Sequence, residues 1–199
     1  MDILEQAAAH AKSIYPAGDF PHIMEVVAYA QQLAQRTGAD EEIVTLAAYF
    51  HDISSASMGP QEHNIRSAQM ARDWLEQLDY PEARVERVAA AIAAHMRPVT
   101  GTERDSLPLE CRILYDADKI SRAQGLGIVG ALVRLGEQVP WEKLSYVQLA
   151  AAVRMGRDAT EQAYSSLYTD AARELAGPGH QCALAFCDSL LQLQVFMAS

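Results

Sequence analysis

Apolar residues recur along most of this chain at intervals of three and four, and runs of alternating β-branched residues are nearly absent. That pattern predicts an all-α fold with short connections. A first amphipathic segment begins near Ile3 and ends at Pro16-Ala17-Gly18. A second opens at Pro21 and stops at Thr37-Gly38, with proline at a helix start and glycine just past its end. Asp40 is placed to cap a third helix reaching Asp52. The small, polar residues 54–59 predict a loop, Pro60 opens a helix to about residue 78, and Pro81 opens another to about His95. Residues 97–102 break the pattern as a second loop. A helix at about 109–135, irregular at Gly125, Gly127 and Gly130, precedes two closing helices at about 144–167 and 170–195. The last is expected to be interrupted at Gly177-Pro178-Gly179.

The chemistry shows first as polar residues standing on apolar stripes. After Pro81 the stripe Val85, Val88, Ile92 continues to His95. His22 precedes Val26 by one turn, in line with Tyr29 and Leu33, and His51 extends Ile43, Ala47, Phe50. A single inward histidine is more often a hydrogen-bonded core residue than a ligand. Three together, buried without partners, would be costly, whereas a divalent cation accepts their nitrogen lone pairs. Asp52 and Asp118 supply the carboxylates such a site uses.

Half of the 199 residues are apolar, enough for one core, and neither repeats nor a shift in composition mark a second domain, so a single domain over 1–199 is expected. A formal net charge of -10 argues against a duplex nucleic-acid partner, since that affinity comes from neutralising phosphates with Lys and Arg. Small anionic substrates stay open, because a metal and a few basic residues override net charge within one pocket. Cys111, Cys182 and Cys187 form no C-x-x-C pair, so they are read as small core residues of a protein from a reducing, cytoplasmic compartment. The first fifteen residues carry acids and spaced apolar positions, so no secretory signal is expected, and no apolar stretch is long enough for a membrane span.

The segment Ala47-Ala48-Tyr49-Phe50-His51-Asp52-Ile53 resembles the central motif of the HD superfamily of metal-dependent phosphohydrolases. His22 in Pro21-His22-Ile23-Met24-Glu25-Val26-Val27 resembles the first ligand of that family, and Asp118 in Tyr115-Asp116-Ala117-Asp118-Lys119-Ile120 its last. The dipeptide alone carries no information; the ordered set does. His63-Asn64-Ile65-Arg66-Ser67-Ala68, Ala91-Ile92-Ala93-Ala94-His95 and Gln124-Gly125-Leu126-Gly127-Ile128 extend the likeness to the small bacterial HD-domain hydrolases. It covers residues 19–135, with the helices at about 144–197 completing an HD-type bundle whose metal site lies between core helices. Two departures stand out. Some branches place an acid soon after His-Asp, where this chain has Ile53-Ser54-Ser55-Ala56; and Ser121-Arg122 replaces the usual Asp-Ala.

The resemblance implies a divalent metal, with Mn, Fe, Mg, Ni and Zn not distinguished, held by His22, His51, Asp52 and Asp118. Asp52 would orient a metal-activated water for attack on a phosphate ester or anhydride of a nucleotide or other small phosphorylated substrate. His63 and His95 are candidates for a second metal bridged by Asp52, or for phosphate contact. Lys119, placed beside the reacting group by the motif, and Arg122, Arg66 and Arg97 are candidates to hold substrate phosphates. Asp116 could orient a ligand, while His10 and His180 fall outside the pattern as structural or surface residues. Two alternatives stay open: a diiron oxygenase acting on a small polyol or phosphonate with the same six ligands, and a catalytically silent ligand-sensing HD module. A homo-oligomer is compatible with the sequence.

Overall fold

A computed structural model describes residues 2–55, 61–96 and 106–197, which form helices and turns with no strand among them. In chain order these are α1 (Ile3–Ile14), α2 (Phe20–Thr37), α3 (Glu41–Phe50), α4 (His63–Glu76), α5 (Glu82–Ala94) and α6 (Leu109–Ser121). A π-helical turn (Arg122–Leu126), α7 (Gly127–Gln138), a 3-10 turn (Trp141–Lys143), α8 (Tyr146–Ser166) and α9 (Asp170–Met197) follow. The chain divides into two compact units, Met1–Asp118 and Lys119–Ser199.

In the first unit α3 is the central element, packed on α1, α2, α4 and α5. Its residues Ile43, Val44, Thr45, Leu46, Ala47, Ala48, Tyr49 and Phe50 are all buried, as a helix without a polar face must be. Local signals set its start. Gly38, at φ 77°, takes the left-handed conformation that closes α2 with little cost to a residue lacking Cβ. Asp40 Oδ1 then accepts the Ile43 N–H at 3.3 Å, capping α3. Arg84 and Arg87 of α5 reach Asp40, each at 3.1 Å, and Arg87 also reaches Glu110 of α6 at 2.6 Å. The starts of α3 and α6 are thereby tied to one face of α5.

In the second unit α7, α8 and α9 enclose Ile128, Val153 and Cys187, with Leu132, Ala183, Leu190 and Leu191 packed around them. The irregularity expected near Gly125 is the π turn, where Gly125 has φ 114°. The expected interruption at Gly177-Pro178-Gly179 is not observed: α9 runs through Pro178. Pro178 has no N–H to donate along the helix, yet neither flanking glycine turns left-handed. Gly179 instead makes room for a neighbour, since a Cβ there would stand 2.8 Å from Gln124 Cγ. Another correction concerns Cys182, which is exposed, whereas Cys111 and Cys187 are buried; all three are free thiols.

Of the loop predicted at 54–59, residues 56–59 lie outside the described residues, as do the loop predicted at 97–102 and the start at Pro60; α4 is seen from His63. Among the described residues no helix is long and apolar enough to cross a membrane.

Candidate metal centre

Six histidine and aspartate side chains of the first unit meet at helix ends. His51 and Asp52 directly follow Phe50, the last residue of α3. The His51 ring turns back on its own helix, and Nδ1 donates to the Ala48 carbonyl at 2.9 Å. A carbonyl can only accept, so this bond puts the proton on Nδ1 and leaves the Nε2 lone pair facing inward. His95 repeats the device at the end of α5, with Nδ1 donating to the Ile92 carbonyl at 2.6 Å. In both cases a carbonyl near a helix C-terminus is satisfied by the imidazole it orients.

Two groups of three result, each with ligand atoms within 4.8 Å of one another. In the first, Asp118 Oδ1 lies 3.4 Å from His22 Nε2 and 3.8 Å from His51 Nε2. In the second, Asp52 Oδ1 lies 3.0 Å from His63 Nε2 and 3.6 Å from His95 Nε2. Asp52 also adjoins the first group, its Oδ2 standing 3.6 Å from His51 Nε2. The rings meet edge to face, with centroids 5.8 Å apart for His22 and His51, 5.2 Å for His51 and His95, and 5.3 Å for His63 and His95.

His51 is fully buried, and its Nε2 has no hydrogen-bond partner among the described residues. Burial holds its pKa below the ordinary 6.5, against the pull of the Asp52 and Asp118 carboxylates, and so favours the neutral, lone-pair-bearing imidazole. His22 shifts upward, because its bond to Asp118 outweighs burial. Burial works against an ionised Asp52, but the His95 and His51 imidazoles facing it prevail and hold its carboxyl below the usual range. Imidazole nitrogens and carboxylates converging on an orphaned, buried nitrogen are a donor set that suits a divalent ion such as Mn, Fe, Ni or Zn.

The other sequence candidates are placed as follows. His63 is largely covered rather than a solvent-facing residue at a helix start. Asp116 is fully buried, two residues before Asp118. Lys119 follows Asp118 in α6 and is half-buried, Arg66 is half-buried in α4, and Arg122 is exposed at the start of the π turn. Arg97 lies outside the described residues. His10 stacks on Trp74 with centroids 5.1 Å apart, and His180 stacks on Tyr164 at 4.0 Å with Nδ1 against the Ala123 carbonyl; among the described residues neither joins a metal group.

Sequence reasoning missed Tyr15, whose Oη accepts the Asp52 N–H at 3.2 Å. Ser54 and Asn64 were also missed; they bond the backbone of His63 and Ala93. Tyr15 ends the buried stripe Ala7, Ala11 of α1, where a tyrosine reads as one more core residue rather than as a polar group out of place, and neither Ser54 nor Asn64 ends such a stripe, the signal that exposed the histidines.

An all-α chain carrying a His, His-Asp, His, His, Asp set on successive helix ends defines a class of candidate metalloprotein. The HD domain family model matches residues 20–123, more than half of the chain, and the chain belongs to that family. Its fold is similar to that of the Lin1889 protein of Listeria innocua, at 19% identity and a TM-score of 0.73, covering 98% of this chain and 99% of that one. It is similar to an HD-superfamily hydrolase of Bacillus thuringiensis, at 20% identity and a TM-score of 0.72, covering 96% of each chain. A further likeness is to Bacillus subtilis YpgQ, whose structure was solved in complex with ADP, at 21% identity and a TM-score of 0.69, covering 95% of this chain and 93% of that one. No protein of curated function matches the sequence significantly.

Proposed function

We propose that this protein is a metal-dependent phosphohydrolase that cleaves a phosphate ester or anhydride of a small substrate, with nucleotides the leading class. The observation that carries the reading is the meeting of two His/Asp groups at Asp52. His22, His51, Asp52 and Asp118 would hold the principal ion, and His63 and His95, with Asp52, a second. A divalent ion there supplies Lewis acidity to a phosphoryl oxygen and lowers the pKa of water towards neutrality. The chain supplies the rest. The Nδ1 bonds of His51 and His95 fix both rings before substrate arrives, so little reorganisation remains for the reaction. Asp52, kept ionised, can take a hydrogen bond from an attacking water and orient it. Lys119 and Arg122, with Arg66 and Arg97, are the groups assigned to substrate phosphates. The ADP bound by YpgQ supports a nucleotide, while the overall acidity of this chain disfavours a polyanionic partner.

The test is a screen of nucleotides and general phosphatase substrates against protein loaded in turn with Mn, Fe, Mg, Ni and Zn, its metal content verified. Phosphate release that needs metal and is lost in Asp52→Ala supports the reading. Loaded protein that releases no phosphate from any of them overturns it.

A further inference from the structure

The second group draws its ligands from three separate pieces of chain, at residues 52, 63 and 95, and a short run of hydrogen bonds joins all three. The Ser54 N–H donates to Ser67 Oγ at 3.1 Å, the Ser67 hydroxyl donates to Ser54 Oγ at 3.1 Å, and the Ser54 hydroxyl donates to the His63 carbonyl at 2.9 Å. Each hydroxyl has one proton to give, and both are used in the same sense, ending at His63. Both serines are fully buried. On the far side of His63 the Asn64 amide donates to the Ala93 carbonyl at 2.6 Å, two residues before His95.

The backbone at His63 needs such support. Glu62 immediately before it has φ 51°, a left-handed conformation that is strained for a residue with a Cβ and persists only where its surroundings impose it. None of these bonds reaches His22 or Asp118.

We propose that Ser54, Ser67 and Asn64 are positioning residues that set His63 and His95 against Asp52, and thereby decide whether the second group holds an ion. The inference rests on the metal-binding reading above. It assigns a purpose to Ser67 in the His63-to-Ala68 segment, which the proposed chemistry leaves unused. Buried serines could instead serve only to satisfy one another within the core, and then only stability would depend on them.

The experiment is equilibrium dialysis of the full-length protein against Mn2+, with wild type, Ser67→Ala and Asn64→Ala compared and folding followed by circular dichroism. Wild type should bind two equivalents. Each variant should keep one with affinity within about twofold and bind the second at least about tenfold more weakly, the scale seen when a group supporting a metal ligand is lost. Folded variants that bind both ions as wild type does, even with lowered melting temperatures, overturn the inference while leaving the two-ion reading intact. Equal weakening of both ions overturns it as well. A wild type that binds a single equivalent overturns the two-ion reading and the inference with it. Asn64 is only half-buried, so Asn64→Ala decides the matter if Ser67→Ala does not fold.

Discussion

At His51 one ring performs two tasks. Its Nδ1 closes the end of α3 on the Ala48 carbonyl, and its Nε2 stands buried and unpartnered beside two carboxylates. Continued α-helical pairing would give the Ala48 carbonyl to the Asp52 N–H, which here goes to Tyr15 Oη, so the His51-Asp52 corner is held from α1 as well. His51→Ala should therefore abolish retention of the principal ion and phosphate release while leaving a helical, folded protein, as metal analysis and circular dichroism on one preparation will show. Lys119 and Arg122 test the substrate side. Lys119→Ala should raise KM for phosphorylated substrates by the equivalent of about 1.5–3 kcal/mol, with metal affinity little changed. Arg122 is exposed, so Arg122→Ala should have the smaller effect of the two. Steady-state kinetics with unchanged KM in both variants would remove them from the site.

At the scale of elements, the start of α3 is both its most legible feature and its acid-sensitive one. Asp40 lies below its ordinary pKa of 3.8 because the Ile43 N–H, Arg84 and Arg87 together outweigh burial. Glu110 lies below 4.5 because its own N–H, Arg87 and the Asp40 N–H do the same. A carboxyl depressed on folding adds stability that is complete above its unfolded pKa and lost as pH falls through its folded one. The contribution of these two groups to the melting temperature should thus be complete above about pH 5 and lost below about pH 4.5 as they protonate. Arg87→Ala should cost only about 0.5–1 kcal/mol at neutral pH, since Arg87 is partly exposed, and should shallow the acid fall; an unaltered pH profile would assign the transition elsewhere. Pro21, Gly38 and Asp40 were legible because each acts on the backbone within a turn of itself. Pro178 misled because tertiary packing in the second unit, with Gly179 set against Gln124, overrides the local tendency to break. In the site, His22, His51 and His95 were visible as polar residues at the ends of apolar stripes. His63 was visible only through its place in the family's order. The bonds that hold the site were not visible, because Tyr15 and Asp52 are 37 positions apart and Ser54 and Ser67 are 13, distances over which no local periodicity speaks.

For the molecule as a whole, the excess of acidic residues and the gathered carboxylates of the site carry the same consequence: bound cations should stabilise the fold. An ion that binds only the folded state at one hundred times its Kd adds about 2.7 kcal/mol. Chelator-treated protein should accordingly melt below the Mn2+-loaded form, with the difference growing as free metal rises and shrinking in His51→Ala; calorimetry that finds the same midpoint in both forms would leave the His/Asp groups without a resident ion. The most direct test joins metal to chemistry. Phosphate release from nucleoside phosphates is measured on metal-free protein, on the same protein reloaded with a measured amount of divalent metal, and on Asp52→Ala carried through the same steps. The expected result is release that is absent from the metal-free protein, returns in proportion to bound metal, and never appears in the variant. Release that persists without metal, or that survives in Asp52→Ala, would contradict the assignment of the centre.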